Sequence, residues 1–355
     1  MKTSPTENLS EILPINKNLP RVAVTIGDAA GIGAEITLKA ISDAAIRNVC
    51  LPVVVGDARF LLETAGKFGL FDDFTVVRKG SEIPENSDQP VIYDLANLNE
   101  KITPGEESAA TGRASAEYIE TAVALWKQNR VDAIATAPIS KMALALGGYD
   151  FPGHTEFLAY LTDTRDFAMS FFAEKLRVVL LSTHVSLARA INLVKKENLV
   201  HLILFTNREL ERLLKKRVKI AVAGLNPHAS ESGMFGAEEA DEIAPAITEC
   251  REKHGVDVSG AYSPDTIFLR GYKGEFDAVV ACYHDQATIA VKCLSFGASV
   301  NVTLGLPLIR TSVDHGTAID IAGKNVAEAS SMKAAINLAA NLSKEHRKRT
   351  SSESM

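Results

Sequence analysis

The sequence is poor in cysteine and has no long apolar run. Its 355 residues include four cysteines, and no two of them stand in a Cys-x-x-Cys spacing. A disulfide framework or a cysteine zinc site is therefore not expected, and Cys50, Cys250, Cys282 and Cys293 are interpreted as reduced core thiols of a cytoplasmic protein. The first twenty residues lack the apolar stretch of a secretion signal, and no run of about 18 apolar residues predicts a membrane span.

An excess of basic charge is also missing. The formal net charge is -6, from 38 Lys and Arg against 44 Asp and Glu. Binding to a nucleic acid depends on clustered Lys and Arg, and the one short basic cluster, in SKEHRKRTSSESM, is interpreted as a solvated helix end. Neither a nucleic acid nor a membrane is therefore expected as a partner. A small anionic substrate would need only a local basic pocket.

What the sequence does have is a regular alternation of short apolar runs and longer amphipathic stretches. Buried parallel strands give such runs because crossover helices cover both faces of the sheet. The runs are VAVTI at 22–26, VVV at 53–55, AIATA at 133–137, RVVLLS at 177–182, KIAVAGL at 219–225, AVVACY at 278–283 and VNVTLGL at 300–306. Helices are predicted at 114–128 and 197–216, and surface loops at 79–90 and 101–112. The fold class is therefore α/β.

A glycine-rich turn follows the first predicted strand. In VAVTIGDAAGIGAE, the spacing of Gly27, Gly31 and Gly33 resembles part of a dinucleotide-binding fingerprint, but Ala34 stands where a further glycine is expected. The same glycines also fit a purely structural role, in which they let the chain turn tightly between strand and helix. Both interpretations stay open.

Four of the eight histidines lie in distinctive strings: GHTEF, STHVSL, GLNPHAS and CYHDQA, which contain His154, His184, His228 and His284. Three of them follow directly on predicted strands, where ligand sites gather in open α/β sheets. Imidazoles bind zinc and related divalent ions, so convergence of these side chains would make a metal site. Each histidine taken alone also fits a hydrogen-bonded loop position.

A third group of polar residues surrounds the last predicted strand. Asn301 and Arg310 lie in NVTLGLPLIRTSVDHGTAIDIAGK, and Lys292 precedes it by nine residues. A lysine, an asparagine and an arginine together suit the oxygens of a phosphate or a carboxylate. The alternative is that Lys292 and Arg310 are surface charges.

These strings together resemble the 4-hydroxythreonine-4-phosphate dehydrogenase family of pyridoxal phosphate synthesis. GHTEF, STH, GLNPHA, YHDQ and VTLGLPLIRTSVDHGTAIDIAG occur in the family's order, and the resemblance runs from about 21 to about 340. It implies two α/β/α lobes around a cleft, similar to isocitrate and isopropylmalate dehydrogenases, and a homodimer with shared active sites. The lobes are expected at 21–145 plus 300–340 and at 146–299, the second carrying most metal and substrate residues. Flexible tails are expected at 1–20 and 341–355.

The resemblance also assigns roles to individual residues. The metal ligands would be His184, His228 and His284; the substrate ligands would be His154, Thr155, Lys292, Asn301 and Arg310; Asp265 and Lys292 would be catalytic, with Asp285 as a further candidate. The family does not use a Rossmann cradle, so the glycine-rich turn is not expected to contact the cofactor, whose ligands stay unknown. Ala29 and Ala34 replace two prolines that family members usually have.

The activity implied by the resemblance is NAD- or NADP-dependent oxidation of 4-hydroxythreonine 4-phosphate. A divalent ion, whether zinc, magnesium, manganese or cobalt, would stabilise the developing alkoxide. The resulting β-keto acid would lose carbon dioxide to give 3-amino-2-oxopropyl phosphate. The proton acceptor stays open between Asp265, a metal-bound water and a lysine.

Three alternatives remain. The first is the same chemistry on D-erythronate 4-phosphate, D-threonate 4-phosphate or a related hydroxy acid; an unphosphorylated cis-dihydrodiol is disfavoured because Arg310 and both the GHTEF and PLIRTS strings are retained. The second is a metal-dependent hydrolase or lyase that uses no nicotinamide. The third is a non-catalytic sensor, which would be expected to have lost a metal ligand or the phosphate-binding residues.

Overall fold

A computed structural model describes residues 19–70, 73–84, 87–295 and 297–350, with side chains to 345. Twelve strands form one sheet in these ranges. The strands are β1 Arg21–Thr25, β2 Leu51–Gly56, β3 Thr75–Arg78, β4 Val91–Asp94, β5 Ala133–Thr136, β6 Ala168–Ala173, β7 Leu176–Leu180, β8 Ile220–Ala223, β9 Val258–Tyr262, β10 Ala278–Ala281, β11 Val300–Leu304 and β12 Ile309–Ser312.

Helices connect these strands. They are α1 Gly33–Ile41, α2 Ala44–Arg47, α3 Ala58–Phe68, α4 Ala109–Lys127, α5 Lys141–Leu146, α6 His154–Leu161, α7 Leu187–Leu193, α8 Lys196–Leu214, α9 Ala244–His254, α10 Pro264–Tyr272, α11 His284–Leu294 and α12 Ser330–Thr350. A 3₁₀ turn spans Pro227–Glu231, and a π turn spans Glu239–Ile243. No helix among the described residues is both long enough and apolar enough to cross a membrane.

The strand order is β3-β4-β2-β1-β5-β12-β11-β6-β7-β10-β8-β9. Each of the seven predicted apolar runs overlaps a strand, and the α/β class is confirmed. The prediction that all seven strands are parallel is wrong for β11, which is antiparallel to both β12 and β6. The physical reason is connection length. Only four residues, 305–308, join β11 to β12, and so short a link permits only antiparallel pairing.

The sheet is continuous across the predicted boundary between the lobes. β11 belongs to the segment predicted for the first lobe, yet it pairs on one side with β12 and on the other with β6 of the segment predicted for the second lobe. The division into two lobes stays a prediction. The junction nevertheless matters, because β12 and β11 carry Arg310 and Asn301 at the centre of the sheet.

Burial explains why the apolar runs form the core. All six residues of β2 are buried, as are all four of β5, β8 and β10. Fully burying a Val or Ile side chain contributes about 1.5–3 kcal/mol, so interior strands with apolar residues on both faces are favoured. The apolar composition of these runs, rather than alternation of apolar and polar residues, is what marks them as interior strands.

Two helices extend into segments that were predicted to be a loop and a tail. The predicted loop at 101–112 ends early, because α4 begins at Ala109 and Ser108 caps it by accepting a hydrogen bond from the backbone N–H of Thr111. The predicted C-terminal tail begins too early. α12 continues beyond 341, and Leu342 and Ser343 are buried. Residues 1–18 and 351–355 of the predicted tails lie outside the described residues.

The glycine-rich turn after β1 is closely packed. Gly27 has φ +67°, and a Cβ atom on it would overlap the carbonyl oxygen of Pro138. A Cβ atom on Gly33 would overlap the carbonyl oxygen of Ile26. These contacts provide a structural reason for both glycines that requires no cofactor.

Candidate functional site

Arg310 lies on β12 in the middle of the sheet and is 3% exposed, so the interpretation of Arg310 as a surface charge is wrong. Its Nη1 donates to Thr303 Oγ1 at 3.0 Å and to Asn301 Oδ1 at 3.3 Å, and its Nη2 donates to Thr136 Oγ1 at 2.9 Å. Burial lowers the pKa of Arg310 to about 9, partly offset by the negative charge of Glu156. All three acceptors are neutral, which leaves the guanidinium without a directly bonded carboxylate.

His154 and Thr155 begin α6 next to this cation. Burial and the positive charge of Arg310 hold the pKa of His154 well below its usual value, so the imidazole is neutral near pH 7. Its Nε2 atom is buried and has no hydrogen-bond partner among the described residues. Thr155 Oγ1 lies 3.4 Å from Thr303 Oγ1. The structure therefore brings together four of the predicted substrate residues: His154, Thr155, Asn301 and Arg310.

His184 and His284 lie beside each other at the carboxyl edge of the sheet. β7 and β10 are parallel neighbours, and each histidine follows the end of its strand. The ring centroids of His184 and His284 are 5.8 Å apart. Asp285 Oδ1 lies 2.7 Å from His284 Nδ1, the hydrogen-bonding arrangement that commonly orients a metal-binding imidazole.

His228 follows β8, the parallel neighbour of β10, and so lies at the same edge. Its Nδ1 is 4.0 Å from Asp265 Oδ2 on α10. The residues from His228 to Ser232 all have positive φ, a conformation that costs non-glycine residues free energy. The buried Glu239 carboxylate anchors the start of this loop by accepting hydrogen bonds from Leu225 N and Asn226 N at 2.8 and 2.7 Å.

Gln286, in the string CYHDQA, ties the ends of two of these strands together. Its Oε1 accepts from Cys282 N, and its Nε2 donates to Gly224 O at 2.7 Å. The segments that carry His228 and His284 are therefore held side by side.

Two cavities connect these groups. A cavity of about 340 Å³ is lined by both Thr155 and His184, together with Glu156, Asp166 and His201. A second, of about 400 Å³, is lined by both Asp265 and Asp285 and by the exposed Ile289 of α11. One predicted substrate residue, Thr155, thus borders the same cavity as the predicted metal ligand His184.

Some predicted residues are not brought together within one chain. In the described ranges, no three His, Cys, Asp or Glu side chains are close enough to hold a metal ion. Two of the three predicted imidazoles are neighbours, while the third faces Asp265. Lys292 is exposed on α11, where the alternative of a surface charge still fits it. The donor chemistry of three imidazoles suits a divalent metal, but one chain supplies the adjacent pair only.

Sequence reasoning missed the residues that hold Arg310. Thr136 ends β5 and Thr303 lies within β11, and both side chains are buried. The available signal was a threonine within each of two mostly apolar strands, which β-propensity alone explains. The prediction of four core thiols also needs correction, because Cys293 is exposed while Cys50, Cys250 and Cys282 are buried.

The chain was compared with known proteins. The family model described as Pyridoxal phosphate biosynthetic protein PdxA matches residues 48–339. A D-threonate 4-phosphate dehydrogenase of Cupriavidus necator is 44% identical over 326 residues, covering 91% of this chain and 97% of that protein. The crystal structure of a 4-hydroxythreonine-4-phosphate dehydrogenase from Klebsiella pneumoniae is 41% identical, with a TM-score of 0.81 over 91% of this chain and 99% of that one.

A more distant solved structure is a terephthalate 1,2-cis-dihydrodiol dehydrogenase from Burkholderia xenovorans. It is 28% identical, with a TM-score of 0.61 over 91% of this chain and 99% of that one. The PdxA model matches most of the chain, and the relatives with about 40% identity are named dehydrogenases. The predicted resemblance is confirmed: the chain belongs to the PdxA family of pyridoxal phosphate biosynthetic proteins.

Proposed function

We propose that this protein is a nicotinamide-dependent dehydrogenase that oxidises the C3 hydroxyl of a four-carbon acid phosphorylated at C4. D-threonate 4-phosphate is the first candidate, because the relative of 44% identity is named for it. 4-Hydroxythreonine 4-phosphate is the second, because the solved structure of 41% identity is named for that activity. The two substrates differ only at C2, which bears a hydroxyl group in one and an amino group in the other.

The buried Arg310 is the observation that carries this proposal. A charged group taken out of water costs several kcal/mol unless an opposite charge compensates it. Arg310 has three neutral acceptors, and its Nε is buried with no partner among the described residues. A phosphate or carboxylate group of the substrate would supply the missing negative charge and accept from the free donor. The neutral His154 could bind the same group without adding a second positive charge.

The reaction balances as a two-electron oxidation followed by loss of carbon dioxide. The C3–H bond breaks, hydride goes to the nicotinamide, and the hydroxyl proton goes to a general base, leaving a ketone at C3. The C1–C2 bond of this β-keto acid then breaks and releases carbon dioxide, its electron pair forms an enolate with the C3 ketone, and C2 takes up a proton. We assign the base role to Asp265, whose exposed carboxylate lies near His228, and the role of a second phosphate ligand to the exposed Lys292. The role of Arg310 is to fix the reacting carbon against the cofactor.

We further propose that the metal ligands are His184 and His284 of one chain and His228 of a second copy. When bound, the divalent ion would stabilise the negative charge that develops on the substrate oxygen. Support comes from the exposed apolar side chains that follow each histidine. They are Leu187 and Ile191 on α7, Met234 and Phe235 after the 3₁₀ turn, and Ile289 on α11. An apolar surface around each ligand is expected where a second copy packs.

Mixing two inactive variants tests this arrangement. His228→Ala and His284→Ala are each expected to abolish activity as homodimers. In a mixed dimer, one of the two sites would have all three histidines, so random mixing should restore about a quarter of wild-type activity. If all three ligands come from one chain, mixing restores nothing. His254→Ala, at an exposed position at the end of α9, is the matched control and should keep full activity.

The activity itself is tested by incubating the purified protein with each of the two phosphorylated acids and with NAD or NADP. Growth of the reduced-nicotinamide absorbance band, abolished by a chelator and restored by added divalent metal, is the expected result. Activity with 4-hydroxythreonine 4-phosphate but not with D-threonate 4-phosphate would reverse the order of the candidates. Substrate consumption that depends on metal but not on nicotinamide would instead support a hydrolase or lyase.

We also propose a cytoplasmic location. All four cysteines are free thiols, and Cys293 is exposed. Unpaired thiols persist most readily in a reducing compartment. Fractionation of cells of the source organism, with detection by antibody, checks this.

A further inference from the structure

A chain of hydrogen bonds links Arg310 to the predicted substrate residue Thr155. Arg310 Nη1 donates to Thr303 Oγ1 at 3.0 Å, and Thr303 Oγ1 lies 3.4 Å from Thr155 Oγ1. Thr303 is 4% exposed and Thr155 is 9% exposed, so both residues are buried. These two hydrogen bonds connect β12, β11 and the start of α6.

The direction of the first of these hydrogen bonds is fixed by chemistry. A guanidinium has only donors, so Thr303 Oγ1 must accept from Arg310. Between Thr303 and Thr155, either hydroxyl can be the donor. When Thr303 is the donor, the proton of Thr155 is left free, on a side chain that borders the cavity shared with His184.

The other end of the guanidinium is oriented in the same way. Arg310 Nη2 donates to Thr136 Oγ1 at 2.9 Å, and Thr136 Oγ1 donates onward to Ser312 Oγ at 2.9 Å. Ser312 Oγ in turn donates to the carbonyl oxygen of Thr136 at 3.2 Å. Both Nη groups are therefore held by hydroxyls whose protons point away from them, and neither hydroxyl places a negative charge beside the buried cation.

We propose that Thr303 is a positioning residue that sets Arg310 and Thr155 so that both present hydrogen-bond donors to one anionic group of the substrate. Neutral hydroxyls suit this role, because a carboxylate at the same place would neutralise the cation that must attract the anion. This inference rests on the proposed function. It adds a residue that contacts no substrate atom itself.

The test compares Thr303→Val with Thr303→Ser. Valine keeps the shape of threonine but removes the hydroxyl, whereas serine keeps the hydroxyl. The measurements are KM and kcat for the phosphorylated substrate and, independently of turnover, the Kd of inorganic phosphate by calorimetry. Thr206→Val is the matched control, because this buried threonine on α8 has a hydroxyl without a partner among the described residues.

Thr303→Val is expected to raise both KM and the phosphate Kd by about tenfold or more, since hydrogen bonds to charged groups are among the stronger ones. Thr303→Ser should stay within about twofold of wild type, as should Thr206→Val. If Thr303→Val does not fold, Thr303→Ala replaces it. A phosphate Kd in the valine variant equal to that of the Thr206→Val control overturns the inference, as does a serine variant as impaired as valine. If the wild-type protein binds phosphate but oxidises no hydroxy acid, the proposed function is refuted. The comparison of phosphate Kd between the Thr303 variants and wild type still decides the inference about Thr303.

Discussion

Replacing Glu239 should weaken both the fold and the proposed metal site, because one buried carboxylate anchors the loop that carries His228. Its Oε1 accepts from Leu225 N and Asn226 N at 2.8 and 2.7 Å, and its Oε2 accepts from Asn226 Nδ2 at 2.8 Å. Glu239 is 5% exposed. Alanine would remove all three hydrogen bonds at once and leave two backbone N–H groups without partners.

The magnitude follows from these three bonds. Each hydrogen bond to a charged group is worth about 1.5–3 kcal/mol, but Leu225 and Asn226 are only partly buried, so water recovers part of the loss. A fall of about 3–5 kcal/mol in the free energy of unfolding is expected for Glu239→Ala. A domain typically has about 5–15 kcal/mol in total, so the variant should still fold. Glu239→Gln keeps one acceptor oxygen and should lose less.

Urea denaturation measures the loss, with Glu238→Ala as the matched control. Glu238 also accepts from Asn226 Nδ2 at 2.8 Å but holds no backbone N–H of the segment between β8 and the 3₁₀ turn, so its loss should cost about 1 kcal/mol or less. Equal effects of the two alanine substitutions would refute the anchoring role. The affinity for Co²⁺, followed by its absorption spectrum, should fall in Glu239→Ala because His228 is no longer held. An unchanged affinity would refute the link between this anchor and the proposed metal site.

Two further predictions follow from close contacts. Arg310→Lys keeps the positive charge but loses the planar guanidinium that donates to Thr136 and Thr303. KM for the phosphorylated substrate should therefore rise by about tenfold or more while the protein stays folded. An unchanged KM in steady-state kinetics would contradict the role of Arg310. Gly27→Ala should lower the free energy of unfolding by about 3 kcal/mol or more, because its Cβ would overlap the carbonyl oxygen of Pro138 and because φ is positive there. Gly69→Ala, at a positive φ with open space around it, is the control in urea denaturation and should cost only about 1 kcal/mol.

The apolar runs were enough to predict the class of fold. Strands such as β2 and β8 are buried along their whole length, and a buried parallel strand needs apolar side chains on both faces, so composition alone marks it. Short or partly exposed strands such as β3, β6 and β9 were not predicted, because tertiary packing rather than local apolar composition defines them.

The sequence by itself also determined the family, since several ordered strings of unusual residues carry that information without any geometry. It placed His184, His228 and His284 after strands that do prove to be parallel neighbours. Only the tertiary structure decided that Arg310 is buried among neutral hydroxyls, that β11 runs antiparallel across the junction, and that Thr136 and Thr303 hold the guanidinium. These facts depend on contacts between residues as far as 174 positions apart, and local sequence patterns do not indicate which distant residues pair.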